Sequence, residues 1–253
     1  MGIRGFLFDQ DGVIIDTERD GHRVAFNRAF LDLGFSAQWE PGEYHRLLQI
    51  AGGKERLRAY LHEKGFGTPV APAEEDSVIA RLHARKTDIF LELLESGALP
   101  LRPGVRRLME EAMSLGLVLG VCTTSNERAA RAVTSTVLGS IHFDLVLAGD
   151  IVREKKPDPE IYILAMQKTG LAPRECVVIE DSRIGVEAAK AAGAFVVATT
   201  NAYTEQEDLA AADIVVTSLG DPGGERGVLK RGLAGVSYDG VLTARQLVDC
   251  FSG

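Results

Sequence analysis

Cysteine is scarce in this chain: three among 253 residues, far apart at Cys122, Cys176 and Cys250. No pair has the close spacing of a zinc or redox site, and an odd number leaves no disulfide framework. They read as small buried hydrophobes in a reducing compartment. No apolar run reaches the ~18 residues of a membrane span, so no membrane partner is expected. Basic runs are missing too. The 28 Lys and Arg face 36 Asp and Glu, a net charge of −8, which argues against a nucleic-acid partner. Any anionic ligand must then be met by positive charge concentrated locally. Internal repeats and low-complexity segments are absent. An apolar stretch begins almost at Met1, which leaves no room for a leader, so the cytoplasm is the expected compartment. The length suits one large domain or two modest ones, and 45% apolar with 25% charged residues is ordinary for a globular protein.

What is present starts with Phe6-Leu7-Phe8-Asp9-Gln10-Asp11-Gly12-Val13. Ile3 and Phe6 to Phe8 predict a short buried strand. Two aspartates follow it, one residue apart. Alternate residues of an extended chain point the same way, so both carboxylates can face one spot beyond the strand's carboxyl end. Gly12 lets the backbone turn there. Two like charges held together call for a cation between them or a proton on one. Asp and Gly are also common in ordinary polar turns, so the motif gains its meaning from the later segments.

Helical patterns fill the next part. Phe26, Ala29, Phe30 and Leu33 share one face, with Gly34 placed to end the helix. Glu18 and His22 lie one helical turn apart at its start, as a solvated pair or as ligand contacts. From Trp39 to about Gly97 helical segments continue with no convincing strand, which predicts an all-helical insert. Its edges are Asp16-Thr17 and the stretch 99–104 with its prolines and glycine, a natural hinge pair. The expected domains are a core of residues 1–16 and 99–253 and a helical cap of residues 17–98. Inside the cap, Gly52-Gly53-Lys54-Glu55-Arg56 is a Gly-rich turn opening a helix with two cations. Backbone amides at a helix start with Lys and Arg suit a phosphate, and a flexible charged turn is the plain alternative. It is no P-loop, because Glu55 sits where Ser or Thr follows the Lys.

From Pro103 the pattern alternates. Strands are expected at 117–122, 143–147, 176–179 and 194–198, with Ile214 to Val216 the last. Helices between them are closed by Gly116, Gly139, Gly170 and Gly193. One of these helices is expected to open with Asp158 as cap and Pro159 as first residue. Single helices between strands imply an α/β fold with a doubly wound, Rossmann-like parallel sheet. The Gly-rich tail beyond Asp221 turns helical near Gln246.

Ligands of such sheets bind beyond the carboxyl ends of the strands. The polar residues expected there are Asp9 and Asp11, then Thr123 with Thr124 and Asn126, then Lys156 before Pro157, then Glu180 and Asp181. Four carboxylates at one edge need a cation, and all-oxygen ligands suit a hard metal, Mg²⁺ first. The metal set is Asp9, Asp11, Glu180 and Asp181, with Asp9, Asp181 and one loop carbonyl as direct ligands. A carboxylate offset by Mg²⁺ and a lysine can attack phosphorus. Asp9 is then the nucleophile and Asp11 the acid and base. Thr123 and Lys156 hold the transferring group. Singly, each has a plain reading as helix cap or solvated charge; their order along successive strand ends carries the argument.

These residues, Asp9-Gln10-Asp11-Gly12, Thr123, Lys156-Pro157 and Glu180-Asp181, resemble the motifs of the haloacid dehalogenase superfamily of phosphatases and phosphomutases. Gln10 occupies a variable position of that pattern. The helical insert after the first motif looks like the small cap of the subgroup that includes β-phosphoglucomutase. Over nearly the whole chain, TERDGHRVAFN, IAGGKERL, VCTTSNE, KKPDPEIY and VVIEDSRIGVEAAKAAG are similar to the CbbY-type phosphatases of photosynthetic organisms. That resemblance implies Mg²⁺-dependent hydrolysis of xylulose-1,5-bisphosphate, a Rubisco inhibitor, to xylulose 5-phosphate. It also implies cap contacts from Glu18, His22, Tyr44, Lys54 and Arg56 to the sugar and the far phosphate. The expected partner is a small sugar bisphosphate, with the protein a monomer, placed in the plastid stroma where a transit peptide has been removed.

Two alternatives share the core: a phosphomutase like β-phosphoglucomutase, and a broader sugar-phosphate phosphatase. A dinucleotide-binding module needs Gly-x-Gly-x-x-Gly after the first strand, and the acidic turn found there repels a pyrophosphate. A catalytically dead interaction protein has no reason to keep all four elements.

Overall fold

The computed structural model describes residues 2–17, 21–233 and 237–251. The chain divides into two units, residues 1–16 with 101–253, and residues 17–100. In chain order the elements are β1 (Gly5–Phe8), α1 (Arg23–Asp32), α2 (Pro41–Leu47), α3 (Gly53–Lys64), α4 (Glu75–Glu95), α5 (Val105–Ser114), β2 (Val118–Cys122), α6 (Glu127–Ala132), β3 (Leu145–Leu147), α7 (Glu160–Thr169), β4 (Cys176–Glu180), α8 (Arg183–Ala191), β5 (Phe195–Thr199), β6 (Ile214–Val216), β7 (Leu229–Arg231) and α9 (Ala244–Phe251).

In the first unit the strands form one sheet in the order β3-β2-β1-β4-β5-β6-β7. β1 sits in the middle, parallel to β2 with Phe8 beside Val121 and parallel to β4 with Phe8 beside Ile179. Every residue of β1 and β4 is buried, which is why β1 and β4 up to Ile179 read as unbroken apolar runs rather than as alternations. From β1 the chain builds outward through β2 and β3, then returns to build β4, β5 and β6 on the other side. The order therefore reverses beside β1. That is the place where a crevice opens at the carboxyl ends of a doubly wound sheet, and β1 ends there in its two aspartates.

The chain leaves this unit after Asp16 and re-enters it at Leu101. The two crossings lie side by side. Ile15 and Leu101 form an antiparallel bridge, and Arg102 N–H donates to the Ile14 carbonyl at 2.9 Å.

Three expectations need correction. Ile214 to Val216 is not the last strand: β7 follows, antiparallel to β6. Its three residues, Leu-Lys-Arg, are all exposed, so it carries no hydrophobic signal. The helix expected to open on Asp158 and Pro159 begins at Glu160. Pro159 is the cap residue, and the Asp158 carboxylate accepts the Glu160 N–H at 2.9 Å. The helix expected to be closed by Gly139 is α-helical only to Ala132 and widens into a π-turn over Val133–Val137.

The second unit is entirely helical among the described residues, with α1 packed along α4. Its centre is aromatic. The Trp39 ring lies 4.6 Å from Phe26, 5.3 Å from Phe30 and 5.7 Å from Tyr44. The Asn27 amide holds the Trp39 backbone from both sides, donating to its carbonyl at 3.0 Å and accepting its N–H at 2.7 Å. None of the described helices is long and apolar enough to cross a membrane.

Candidate active site

The turn after β1 is held by one carbonyl. Gln10 O accepts the N–H groups of Val13, Ile14 and Ile15, while Asp9 N–H stays in the ladder with Ile179 O at 2.9 Å. Gly12 takes φ +86°. A Cβ there would collide with Asp181 Oδ2 and lie 2.8 Å from Asn201 Nδ2, so only glycine fits the turn and the close approach together. The Gln10 side chain is fully buried, and neither atom of its amide has a hydrogen-bond partner.

Lys156, 6% exposed, is the buried cation of the site. Its Nζ donates to Asp9 Oδ1 at 2.6 Å, to Glu180 Oε1 at 2.6 Å and to the Cys122 carbonyl at 3.2 Å. Tyr162 supports the same pair twice. Its hydroxyl donates to Glu180 Oε1 at 2.5 Å, and its ring centroid lies 5.0 Å from Lys156 Nζ. The other Glu180 oxygen accepts Asp181 N–H at 3.1 Å. A Cβ at Gly185 in α8 would fall within the Glu180 carboxyl, so a glycine in the first turn of that helix makes room for this carboxylate.

Burial pushes the Asp9 carboxyl well above the usual carboxylate range. Lys156 pulls it down, and the nearby charges of Glu180 and Asp11 push it further up. For Lys156, burial works to lower the pKa, but Asp9 and Glu180 overcome it and the ammonium is held more firmly than usual. Burial lifts the Tyr162 hydroxyl well above its ordinary value, with Glu180 adding to it, so it acts as a donor. Burial also pushes the Cys122 thiol up to about 12, which makes it an inert core residue.

Ser125 Oγ donates to Asp11 Oδ2, and Ser125 N–H donates to Thr123 Oγ1 at 3.0 Å. The loop after β2 is thereby coupled to the turn after β1. The Asn126 side chain is occupied as the cap of α6, accepting Arg128 N–H at 2.9 Å. Thr124 is half-buried in the same loop. Asn201, beyond β5, donates its Nδ2–H to Asp181 Oδ2 at 2.6 Å. The Arg102 guanidinium donates to the carbonyls of Gly12, Thr199, Thr200 and Thr217. It ties the acidic turn to the ends of β5 and β6.

Among the described residues, Asp9, Glu180 and Asp181 form a buried group whose ligand atoms lie within 4.8 Å of one another. Asp11 stands outside it. The donor set is all oxygen, as a hard divalent cation needs. Both Glu180 oxygens already accept hydrogen bonds, so Asp9 and Asp181 fit best as direct ligands.

In the second unit, His22 is buried, with Nδ1 at 2.9 Å from Lys86 Nζ. Tyr44 is buried, and Lys54 is half-buried in the first turn of α3. Arg56, 8% exposed, donates to the carbonyls of Leu47 and Ile50 and to the Tyr44 hydroxyl at 3.2 Å. It thus closes the α2–α3 connection. Glu18 lies outside the described residues. Sequence reasoning passed over Ser125, Tyr162, Asn201 and Arg102. Only Ser125 had a signal, its place in the Thr-Thr-Ser-Asn run; Tyr162 reads as a helix core aromatic, and Asn201 and Arg102 as loop residues.

A strand-end aspartate pair, a buried lysine on the first aspartate and an acidic pair on the neighbouring strand are now in one place. The family model of a haloacid dehalogenase-like hydrolase matches residues 3–193. The chain belongs to that family. Among curated relatives, a CBBY-like protein of Arabidopsis thaliana is 46% identical over 224 residues, covering 87% of this chain and 70% of its own length. Protein CbbY of Cereibacter sphaeroides is 39% identical over 230 residues, 89% of this chain and 96% of its own. A crystal structure of a CbbY variant from Rhodobacter sphaeroides, in complex with xylulose-1,5-bisphosphate, superposes with a TM-score of 0.80 at 38% identity, covering 88% of this chain and 97% of that one. This haloacid dehalogenase-like chain is therefore a CbbY-like phosphatase with an α/β parallel-sheet core. Enzymes of the superfamily typically use Mg²⁺, and the acidic cluster of this chain is of the kind that binds it.

Proposed function

We propose that the protein is a Mg²⁺-dependent phosphatase that hydrolyses xylulose-1,5-bisphosphate to xylulose 5-phosphate and phosphate. The observation that carries the chemistry is Lys156 Nζ at 2.6 Å from both Asp9 and Glu180 at the reversal of the sheet. The relative bound to this bisphosphate, similar over nearly its whole length, supports the substrate.

Bound by Asp9 and Asp181, Mg²⁺ supplies charge that offsets the repulsion between carboxylate and phosphate. Lys156 adds to this and fixes the Asp9 side chain. An Asp9 oxygen bonds to phosphorus as the bond to the sugar oxygen breaks, and Asp11 gives its proton to the departing alkoxide. Water then attacks the aspartyl-phosphate, Asp11 takes back a proton, and phosphate leaves with Asp9 restored. Ser125, donating to one Asp11 oxygen, orients the carboxyl for both transfers. Thr123 and Lys156 hold the transferring phosphoryl oxygens, with Thr124 and Asn126 in the same loop. In the helical unit, His22, Tyr44 and Lys54, with Glu18, contact the sugar and the second phosphate, while Arg56 braces the α2–α3 connection.

Incubation with xylulose-1,5-bisphosphate and with β-glucose 1-phosphate, followed for phosphate release and for isomer formation, tests this reading. Phosphate from the bisphosphate is expected. Isomer without phosphate release assigns a phosphomutase, and comparable hydrolysis of unrelated sugar phosphates assigns a broad phosphatase.

A further inference from the structure

Asn201 has an amide with no freedom of orientation. Its Oδ1 accepts two backbone donors, Tyr203 N–H at 2.9 Å and Thr204 N–H at 3.2 Å. That atom must therefore be the oxygen, and the nitrogen must face the other way. There it donates to Asp181 Oδ2 at 2.6 Å. Asn201 is 9% exposed and Asp181 5%, so water competes little for this bond. The residue itself is anchored: its own N–H donates to Thr204 Oγ1 at 3.1 Å, and its carbonyl accepts Glu205 N–H at 2.9 Å. Arg102 holds the Thr199 and Thr200 carbonyls just before it. Gly12 leaves room for the contact, since a Cβ at that position would meet both partners.

A carboxylate can grip a cation with one oxygen or with two. Mg²⁺ is small, demands near-octahedral geometry and takes carboxylates one oxygen at a time; Ca²⁺ accepts more oxygens and two-oxygen carboxylates. A donor fixed on Asp181 Oδ2 opposes the two-oxygen grip. We propose that Asn201 is a positioning residue that holds Asp181 as a single-oxygen ligand and so sets the preference of the site for Mg²⁺ over Ca²⁺. This rests on the metal-dependent reading above and adds to it the element that selects the ion.

The test is calorimetric titration of the purified protein with MgCl₂ and, separately, with CaCl₂, for the wild type, Asn201→Asp and Asn201→Ala. Asn201→Asp keeps an oxygen for the Tyr203 and Thr204 N–H groups and replaces the donor to Asp181 with a charged acceptor. Asn201→Ala removes both. Outer partners of metal ligands are worth about 10–100-fold in affinity. The expected result is a fall of about 10-fold or more in the Mg²⁺-over-Ca²⁺ ratio in both variants. The added charge of Asn201→Asp tightens both ions, so the ratio is the readout there. Should Asn201→Ala fail to fold by circular dichroism, Asn201→Asp decides alone. A ratio within twofold of wild type in the folded variants overturns the role of Asn201 and leaves the phosphatase intact. A wild type that binds neither ion overturns the metal-dependent reading and this inference together.

Discussion

The two units bury positive charge in opposite ways. At the sheet edge, Lys156 is buried between the carboxylates of Asp9 and Glu180, and Asp181 belongs to the same acidic group, so three acids share one ammonium. In the helical unit, Arg56 is buried against carbonyls, a hydroxyl and the Tyr44 ring, 5.5 Å from its centroid. No carboxylate pairs with it among the described residues. The first arrangement is electrostatically incomplete without another cation. The second is complete as a scaffold, since neutral acceptors hold a guanidinium that cannot lose its proton. The sheet edge is thus a place for reacting charge, and the Arg56 connection is a place for shape.

The sharpest way to break this contrast is Asp9→Asn. It removes the nucleophile while keeping the outline of the side chain, so phosphate release is expected to fall by about 10⁴-fold or more. Activity near wild type rejects the covalent route. Metal removal comes next. EDTA is expected to abolish turnover and Mg²⁺ to restore it, measured by phosphate release. The pH dependence follows from Asp9, whose pKa is raised in the folded protein by burial. Its contribution to the stability of the metal-free protein is fullest below the ordinary carboxylate value. It is lost as pH rises through the raised one. Mg²⁺ must displace that proton. The gain in melting temperature on adding Mg²⁺ is therefore expected to grow with pH, and a gain that shrinks contradicts the charge balance described.

A pair of substitutions then divides the helical unit. Lys54→Ala is expected to raise KM for a bisphosphate by about 10-fold, through loss of one charged contact worth ~1.5 kcal/mol, and to leave a monophosphate little changed. Equal loss on both removes Lys54 from the second-phosphate site. Arg56→Met, by contrast, is expected to destabilise the fold by about 1–3 kcal/mol in urea unfolding, and a substrate-selective KM effect without destabilisation reverses that assignment. The smallest effect is expected at Gln10. Its amide is buried without partners, so Gln10→Leu is expected to stabilise the fold by ~1 kcal/mol in urea unfolding. Destabilisation means that the amide is satisfied in solution.

What the sequence disclosed follows from which interactions leave a local trace. Buried parallel strands are continuous apolar runs, so β1, β2, β4 and β5 could be read directly, and acidic residues at their ends stood out against them. β7 could not, because an exposed edge strand of Leu, Lys and Arg has no buried face to record. The same logic separates Lys156 from Tyr162. The lysine stands beside a proline at a strand-end loop, while the tyrosine occupies a helix position where any core aromatic would fit. Asn201 and Arg102 act through contacts spanning residues 12 to 217 of the chain, and no spacing along the chain encodes them. Arg56 shows the converse. A cation in a Gly-rich helix start looks like a phosphate contact, and only the folded chain shows that it already serves the Leu47 and Ile50 carbonyls.

The bridge between Ile15 and Leu101 has a consequence for how such an enzyme can diversify. Antiparallel partners stand about 5 Å apart, so the host domain experiences everything between them as a loop whose ends are already joined. Lengthening, trimming or replacing that loop costs the host little closure entropy. It also leaves untouched the strand ends that carry the reactive groups. One hydrolytic platform can thereby inherit new recognition modules at a single fixed port.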